Sequence, residues 1–421
     1  MDSFSLQAKK NNIVKHIKKI AMNKQTIITA LLALVSLGAS AQLESVKELK
    51  MKSEYFGFER QVLIYTPVGY QEFDQTYYDV VYVFDSQDRA KFDLVHCLTD
   101  LLPLDERKHF IIVGICSPNL ITSQTGYLLN ADYLPMPIHV KDAESSRGLF
   151  SDERGYGHSA DLKKFLKHEL MPYVKQHYRT SGRTLGIGHS LSASFVLDCM
   201  ISDDLFDDYI AMSPNYCYDE YRLASDLEQY PWMSHQEPRF IYTSMGKEAA
   251  TWDNSWQKGW QRASTFLGDR SHFPANTIVS VQRFPEYEHN PSYLPSLTEA
   301  MNEYLQFSTS FLQQHMSQET YPVHIELQCK GMKGDVYITG NQEALANWNP
   351  KRIKMEQVND STCSIDLQLH LPAYFKFTRG DWEHVANIVN AEPGNLIIHD
   401  AEHANRVYRL WDMIPWTGEE K

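Results

Sequence analysis

Between about residue 50 and residue 315 the chain alternates two textures, and that alternation is its tightest constraint on fold. Short, β-branched apolar runs stand at Gln61–Tyr65, Asp79–Phe84, His109–Ile115, Thr184–Gly188, Tyr209–Met212, Arg239–Thr243 and Thr277–Arg283. Between several of them lie helical periodicities. Leu162, Phe165, Leu166, Leu170 and Val174 share one face over Ser159–Tyr178, and Leu297, Met301, Tyr304, Leu305 and Leu312 repeat the pattern over Ser296–Leu312. Strands too apolar to have a wet face, alternating with amphipathic helices, predict a mostly parallel sheet covered on both sides. The expected class is α/β, a sandwich of helices around a sheet.

The texture changes after the polar join 313–320. From Tyr321 to about Trp416 come short alternating runs at Val323–Cys329, Asp335–Thr339, Cys363–Leu369, Tyr374–Thr378 and Asn405–Leu410, with turn residues between them and little helical period. These roughly 95 residues predict a small all-β sandwich. The N-terminus has a third character. From Met22 a single Lys precedes an apolar run, Ile27–Leu37, and then Ala39-Ser40-Ala41, the form of a secretory signal peptide. The run is far short of the roughly 20 residues a bilayer span needs. The expected organisation is therefore a leader and signal peptide at 1–41, an α/β domain at 42–315 and a β-sandwich at 321–417. The expected location is periplasmic or extracellular, after cleavage near Ala41 and without stable membrane insertion.

Composition narrows the chemistry. A formal charge of −13, which becomes −18 without residues 1–41, argues against a nucleic-acid partner. Six cysteines in 421 residues make no disulfide scaffold, although export permits pairing and Cys329 and Cys363 lie in neighbouring strand-like runs. Neither a CxxC pair nor an HExxH helix is present, so no metal is expected.

The sharpest local pattern is Gly188-His189-Ser190-Leu191-Ser192. It ends a predicted strand and opens an apolar helix, the setting in which a nucleophile elbow lifts a serine hydroxyl out of the sheet. The N–H of Leu191 at the helix start would face a developing oxyanion. A helix N-cap serine fits the same geometry. A serine nucleophile needs an acid and a base, following in that order along the chain. Glu248 is the first carboxylate after the strand Arg239–Thr243 and Asp253 the second; His289 follows the strand Thr277–Arg283, in the loop before the last helix.

These residues resemble a known family. The chain from about Ser53 to Leu312 is similar to the esterase family that includes esterase D, enterochelin esterases, and feruloyl and acetyl-xylan esterases, all of the α/β-hydrolase fold. The matching landmarks are Phe58–Pro67 with Gly69-Tyr70; Tyr82-Val83-Phe84-Asp85-Ser86-Gln87; Phe165-Leu166 with Glu169–Val174; Gly188-His189-Ser190; and Met212-Ser213-Pro214. The resemblance implies Ser190 as nucleophile, His289 as base, an acid in the Glu248 loop, and a second oxyanion N–H from Ser86 or Gln87. Two glycines common in the family are serines here, Ser86 and Ser192. The tail resembles a starch-binding-type module, through Asp335–Asn341, Leu345–Pro350, Tyr374–Glu383 and Asn405-Arg406. There Trp348 is expected in the core, and Trp382 is a candidate sugar platform. The module would bind glycan or form one wall of the active site, while Leu120–Tyr156 would form much of the substrate pocket.

Together these expectations describe a secreted serine carboxylesterase without cofactor, acting on acetyl or feruloyl esters of plant polysaccharide or oligosaccharide. The alternatives are a siderophore-type or other small-ester hydrolase, and a non-catalytic glycan-binding protein with a degenerate hydrolase domain.

Overall fold

The computed structural model describes residues 46–102, 108–117, 132–135, 157–248, 254–329 and 334–418. The leader, Asp253 and all of 120–156 except residues 132–135 lie outside them. Eight strands form the main sheet: β1 Val46–Lys52, β2 Glu59–Tyr65, β3 Tyr78–Val83, β4 Phe110–Ile115, β5 Thr180–His189, β6 Asp208–Met212, β7 Arg239–Met245 and β8 Thr277–Arg283. Their order is β1-β2-β4-β3-β5-β6-β7-β8. The β2–β4 pair is antiparallel, and every pair from β4 to β8 is parallel. Every residue of β3, β4, β6 and β7 is buried, as helices on both faces require. The covering helices are α1 Arg89–Leu101, α2 Ser159–Phe165, α3 Met171–His177, α4 Leu191–Asp203, α5 Tyr218–Gln229, α6 Asn254–Leu267 and α7 Tyr293–Gln306. The chain is thus α/β, with all seven anticipated strands present and β1 added at the edge.

The long helix anticipated over Ser159–Tyr178 is broken: a π turn, Leu166–Leu170, joins α2 to α3. Leu166 and Leu170 are nevertheless buried, because the extra residue in the turn rotates the apolar stripe without losing it.

A second core follows Tyr321, built on two four-stranded sheets. One sheet has the order β11 Ile353–Lys354, β10 Tyr337–Gly340, β14 Ala373–Thr378, β15 Leu396–Ile398. The other runs β12 Glu356–Asn359, β13 Thr362–Leu369, β9 Tyr321–Gln328, β16 Asn405–Arg409, with β16 parallel to β9 and the other pairs antiparallel. In the β9–β13 register Cys363 stands opposite Leu327.

The described residues from Glu48 onward nevertheless form one compact unit, and the β-sandwich is fastened to the α/β body by polar contacts. Glu392 accepts from the Tyr78 hydroxyl at 3.0 Å and meets His109 Nδ1 at 3.1 Å. Arg406 donates to the Gln75 carbonyl at 2.6 Å and stacks over Tyr77. These attachments sit at the N-terminal ends of β3 and β4, beside Tyr78 and Phe110. The expected catalytic loops follow the C-terminal ends of the same sheet, so the module does not form a wall of that site by way of this contact.

Candidate active site

The turn at Ser190 is shaped by close packing. A Cβ on Gly188 would stand 2.4 Å from the backbone oxygen of Ser192, so only glycine lets β5 and α4 approach this closely. Ser190 itself has φ of +62°, a conformation that costs a serine about 1–3 kcal/mol and that clusters where function demands it. Its N–H donates to the Met212 carbonyl at 2.9 Å, which ties the turn to the end of β6. The helix α4 starts at Leu191, immediately after it.

Two further loops converge on this hydroxyl. His289, in the loop between β8 and α7, places Nε2 2.9 Å from Ser190 Oγ. Its Nδ1 lies 2.7 Å from Glu248 Oε2, in the loop after β7. A carboxylate only accepts, so Nδ1 carries the proton, and Nε2 is the lone-pair nitrogen facing the serine. Glu248 is wholly buried, and its Oε1 meets no hydrogen-bond partner among the described residues. The two loops are also joined by backbone: Lys247 N–H donates to Tyr287 C=O at 2.6 Å. Gly246 allows this, since a Cβ there would lie 2.8 Å from the same carbonyl.

The expected oxyanion donors separate into two sets. The N–H of Ser86 is spent on the Ile115 carbonyl at 3.1 Å, whereas no described backbone acceptor takes the N–H of Gln87 or of Leu191. Of the two loop candidates, Gln87 is therefore the available one. The same loop is bent by Asp85 at φ of +59°, a conformation that aspartate tolerates better than most residues. Trp382 lies on the β-sandwich, in the segment after β14, with 48% of its surface exposed. Trp348 is half-buried and falls outside the module's core, whereas Trp416, at 1% exposure, belongs to it.

Some supporting residues had no sequence signal of their own. His189 is buried, and its Nε2 meets the His289 carbonyl at 3.2 Å, so it donates there. Burial, then the nearby His289 and Lys91, hold its pKa well below the usual histidine value, which keeps the ring neutral. Ser292 Oγ donates to the same carbonyl at 2.7 Å. Buried Trp256 sets its ring edge-on to His289, with centroids 5.8 Å apart. The arrangement can take a proton from Ser190, hold the resulting imidazolium against Glu248, and shield both from water.

Comparison with known proteins follows the same residues. A family model described as "Putative esterase" matches residues 53–282, more than half of the chain, taking in Ser190 and Glu248 and stopping seven residues before His289. An IroE-like serine hydrolase from Shewanella oneidensis is 19% identical with a TM-score of 0.52, covering 61% of this chain and 79% of that one. Siderophore hydrolase EstA from Aspergillus nidulans is 14% identical with a TM-score of 0.52, over 64% of this chain and 97% of that one. The BES protein from Bacillus cereus is 18% identical with a TM-score of 0.50, over 61% and 94%. Likenesses at these identities speak to the fold. No curated protein matches the chain.

Proposed function

The chain belongs to the esterase family, and from that premise we propose that it is an exported serine carboxylesterase with Ser190, His289 and Glu248 as its triad. Ser190 Oγ attacks an ester carbonyl as His289 Nε2 takes its proton. The Nδ1–H bond to Glu248 stabilises the imidazolium that forms. The oxyanion is met by the N–H groups of Leu191 and Gln87. His289 then gives its proton to the leaving alcohol, and water repeats the sequence on the acyl-enzyme. The observation that carries this reading is the continuous chain from Ser190 Oγ through both imidazole nitrogens to a buried carboxylate, at 2.9 and 2.7 Å. That intact chain also speaks against a glycan-binding protein with a dead site.

The substrate class we propose is an acetyl or feruloyl ester on plant polysaccharide or oligosaccharide. The likeness of the tail to carbohydrate-binding modules, exposed Trp382 and the signal-like segment at 22–41 support it. A second reading, a small siderophore-type ester, is favoured by the attachment of the module at the far end of the sheet, which leaves the triad independent of the tail. Two of the solved structures with this fold are named as a siderophore hydrolase and an IroE-like serine hydrolase. Among the described residues no helix is long and apolar enough to cross a membrane.

Hydrolysis of acetylated xylan, feruloylated arabinoxylan oligosaccharide and a catecholate trilactone, by wild type and Ser190→Ala side by side, tests the proposal. Turnover of a polysaccharide ester, reduced about 10³-fold or more in the variant, supports it. Preference for the trilactone favours the second reading, and unchanged activity in the variant refutes the nucleophile.

A further inference from the structure

One hydrogen bond joins the two backbone segments that carry the oxyanion donors. Ser192, two residues after the nucleophile, is fully buried and places Oγ 2.7 Å from Asp85 Oδ2. The His189 N–H donates to Ser192 Oγ at 2.9 Å, and the Ser192 proton has two acceptors in reach, the Asp85 carboxylate and, at 2.9 Å, the His189 carbonyl; a carboxylate can only accept, and it is the charged and nearer of the two. The Ser192 proton therefore goes to Asp85. Leu191 precedes Ser192 by one residue, and Gln87 follows Asp85 by two. The two N–H groups that no described backbone acceptor takes are consequently each within two residues of a single short contact between different parts of the sheet.

Asp85 is held from its other side as well. Tyr133 donates to Oδ1 at 3.0 Å, while the Asp85 N–H donates back to the Tyr133 oxygen at 3.2 Å. The Gln87 side chain donates to Oδ1 at 3.2 Å and accepts from Ser117 N–H at 2.9 Å. Tyr133 is itself anchored, because its neighbour Asp132 takes a bidentate pair from buried Arg60 at 2.9 and 2.8 Å. Burial, then Asp85 and Asp132, push the Tyr133 hydroxyl well above the usual phenol range, so it stays a donor. Three neutral donors thus hold a buried carboxylate whose own backbone is in a left-handed conformation. Packing does not require the Ser192 hydroxyl, since the close approach at Gly188 is to the Ser192 backbone and any small residue satisfies it.

We propose that Ser192 and Asp85 are positioning residues, and that their hydrogen bond locks the Gln87 N–H in register with the Leu191 N–H so that both meet one oxyanion. This deepens the esterase reading and rests on it. The serine that stands in place of the family's usual glycine at 192 therefore does more than pack: it ties the elbow to the oxyanion loop. Removing the tie leaves Ser190, His289 and Glu248 in place but lets one donor drift. Deleting an oxyanion donor outright costs about 10²–10³-fold, so a displaced one should cost less, about 10–100-fold.

The test is the second-order rate at which a fluorophosphonate labels Ser190, because the probe also builds negative charge on oxygen and requires no knowledge of the natural ester. Ser192→Ala and Asp85→Asn are each expected to slow labelling about 10–100-fold, and the double variant to be no slower than the worse single one. On a chromogenic acetyl ester the loss should fall on kcat, with KM within about twofold. Ser192→Gly should behave as Ser192→Ala does. Thermal unfolding identifies a variant that fails to fold, and isosteric Asp85→Asn then carries the test. Labelling within twofold of wild type, additive losses, or a change confined to KM would overturn the proposal. If the wild type takes the label but cleaves none of the esters tried, the substrate reading fails while the labelling rates still decide the coupling. If the wild type takes no label, both fail.

Discussion

Replacing Glu248 by glutamine exchanges one oxygen for an amide nitrogen inside a sealed pocket. The carboxylate is 2.7 Å from His289 Nδ1, and its second oxygen has no hydrogen-bond partner among the described residues. Glutamine has two ways to sit there. With its oxygen toward Nδ1, the tautomer is kept, but an NH2 group faces the position where Oε1 had no partner, at about 1–3 kcal/mol. With its nitrogen toward Nδ1, it donates, and the imidazole proton moves to Nε2. The base then points a proton at Ser190 instead of a lone pair. In either case the charge that opposes the imidazolium is lost. With charge centres about 4 Å apart and an effective dielectric near 20, that attraction is about 4 kcal/mol, or about three powers of ten in rate. Turnover of a chromogenic acetyl ester by Glu248→Gln should therefore fall about 10³–10⁴-fold with KM little changed. A loss below about tenfold in a folded variant would refute the role of Glu248 and return attention to Asp253.

Gly188→Ala would drive a methyl group to 2.4 Å from the Ser192 carbonyl, and because that atom is backbone the elbow has to open. The expected result is a drop of about 1–3 kcal/mol in stability by denaturant titration and a loss of turnover above about 100-fold. Wild-type turnover in this variant would contradict the packing argument. His189→Phe keeps a ring against Tyr293 but removes a donor from the His289 carbonyl, leaving Ser292. A cost of about 1 kcal/mol, about fivefold in kcat, should appear in steady-state kinetics, and a loss confined to KM would argue against a role in holding the base. His399 is half-buried where the two cores meet, near Asp79, Lys108, Asp400 and Arg406, and desolvation brings its pKa down to about 4. Its contribution is complete above the unfolded value near 6.5 and is lost as pH falls from there toward 4, about 3 kcal/mol in all. In His399→Gln, unfolding midpoints should therefore decline less steeply from pH 7 to 4.5; an unchanged slope would count against this.

The sheet was legible because its strands are buried on both faces, and continuous apolar runs such as Val80–Phe84 and Phe110–Ile115 have no other use. Weakly patterned elements escaped. Edge strand β1 has a mostly exposed or half-exposed surface, and the short strands β11, β12 and β15 carry too few residues to show a period. The proposed triad of Ser190, Glu248 and His289 could be singled out from chain order and loop position, since each follows a strand whose end is marked. The choice of Gln87 over Ser86 could not, because it depends on which N–H the Ile115 carbonyl captures, a contact between residues 29 apart in sequence. Trp348 shows the same limit: its apolar ring gave a burial expectation, but the backbone there, at φ of +62°, leaves it half-buried at the rim. The place of the module was equally invisible, since Glu392 and Tyr78 meet across more than 300 residues.

Covalent catalysis in this fold requires that Ser190 become acylated. Rapid acid quench of the enzyme during turnover of a slow feruloyl or p-nitrophenyl ester, followed by intact mass and peptide mapping, measures this directly. One acyl adduct is expected, confined to the peptide that contains Ser190 and absent in Ser190→Ala. Turnover with no adduct at Ser190, or with the adduct on another side chain, would contradict it.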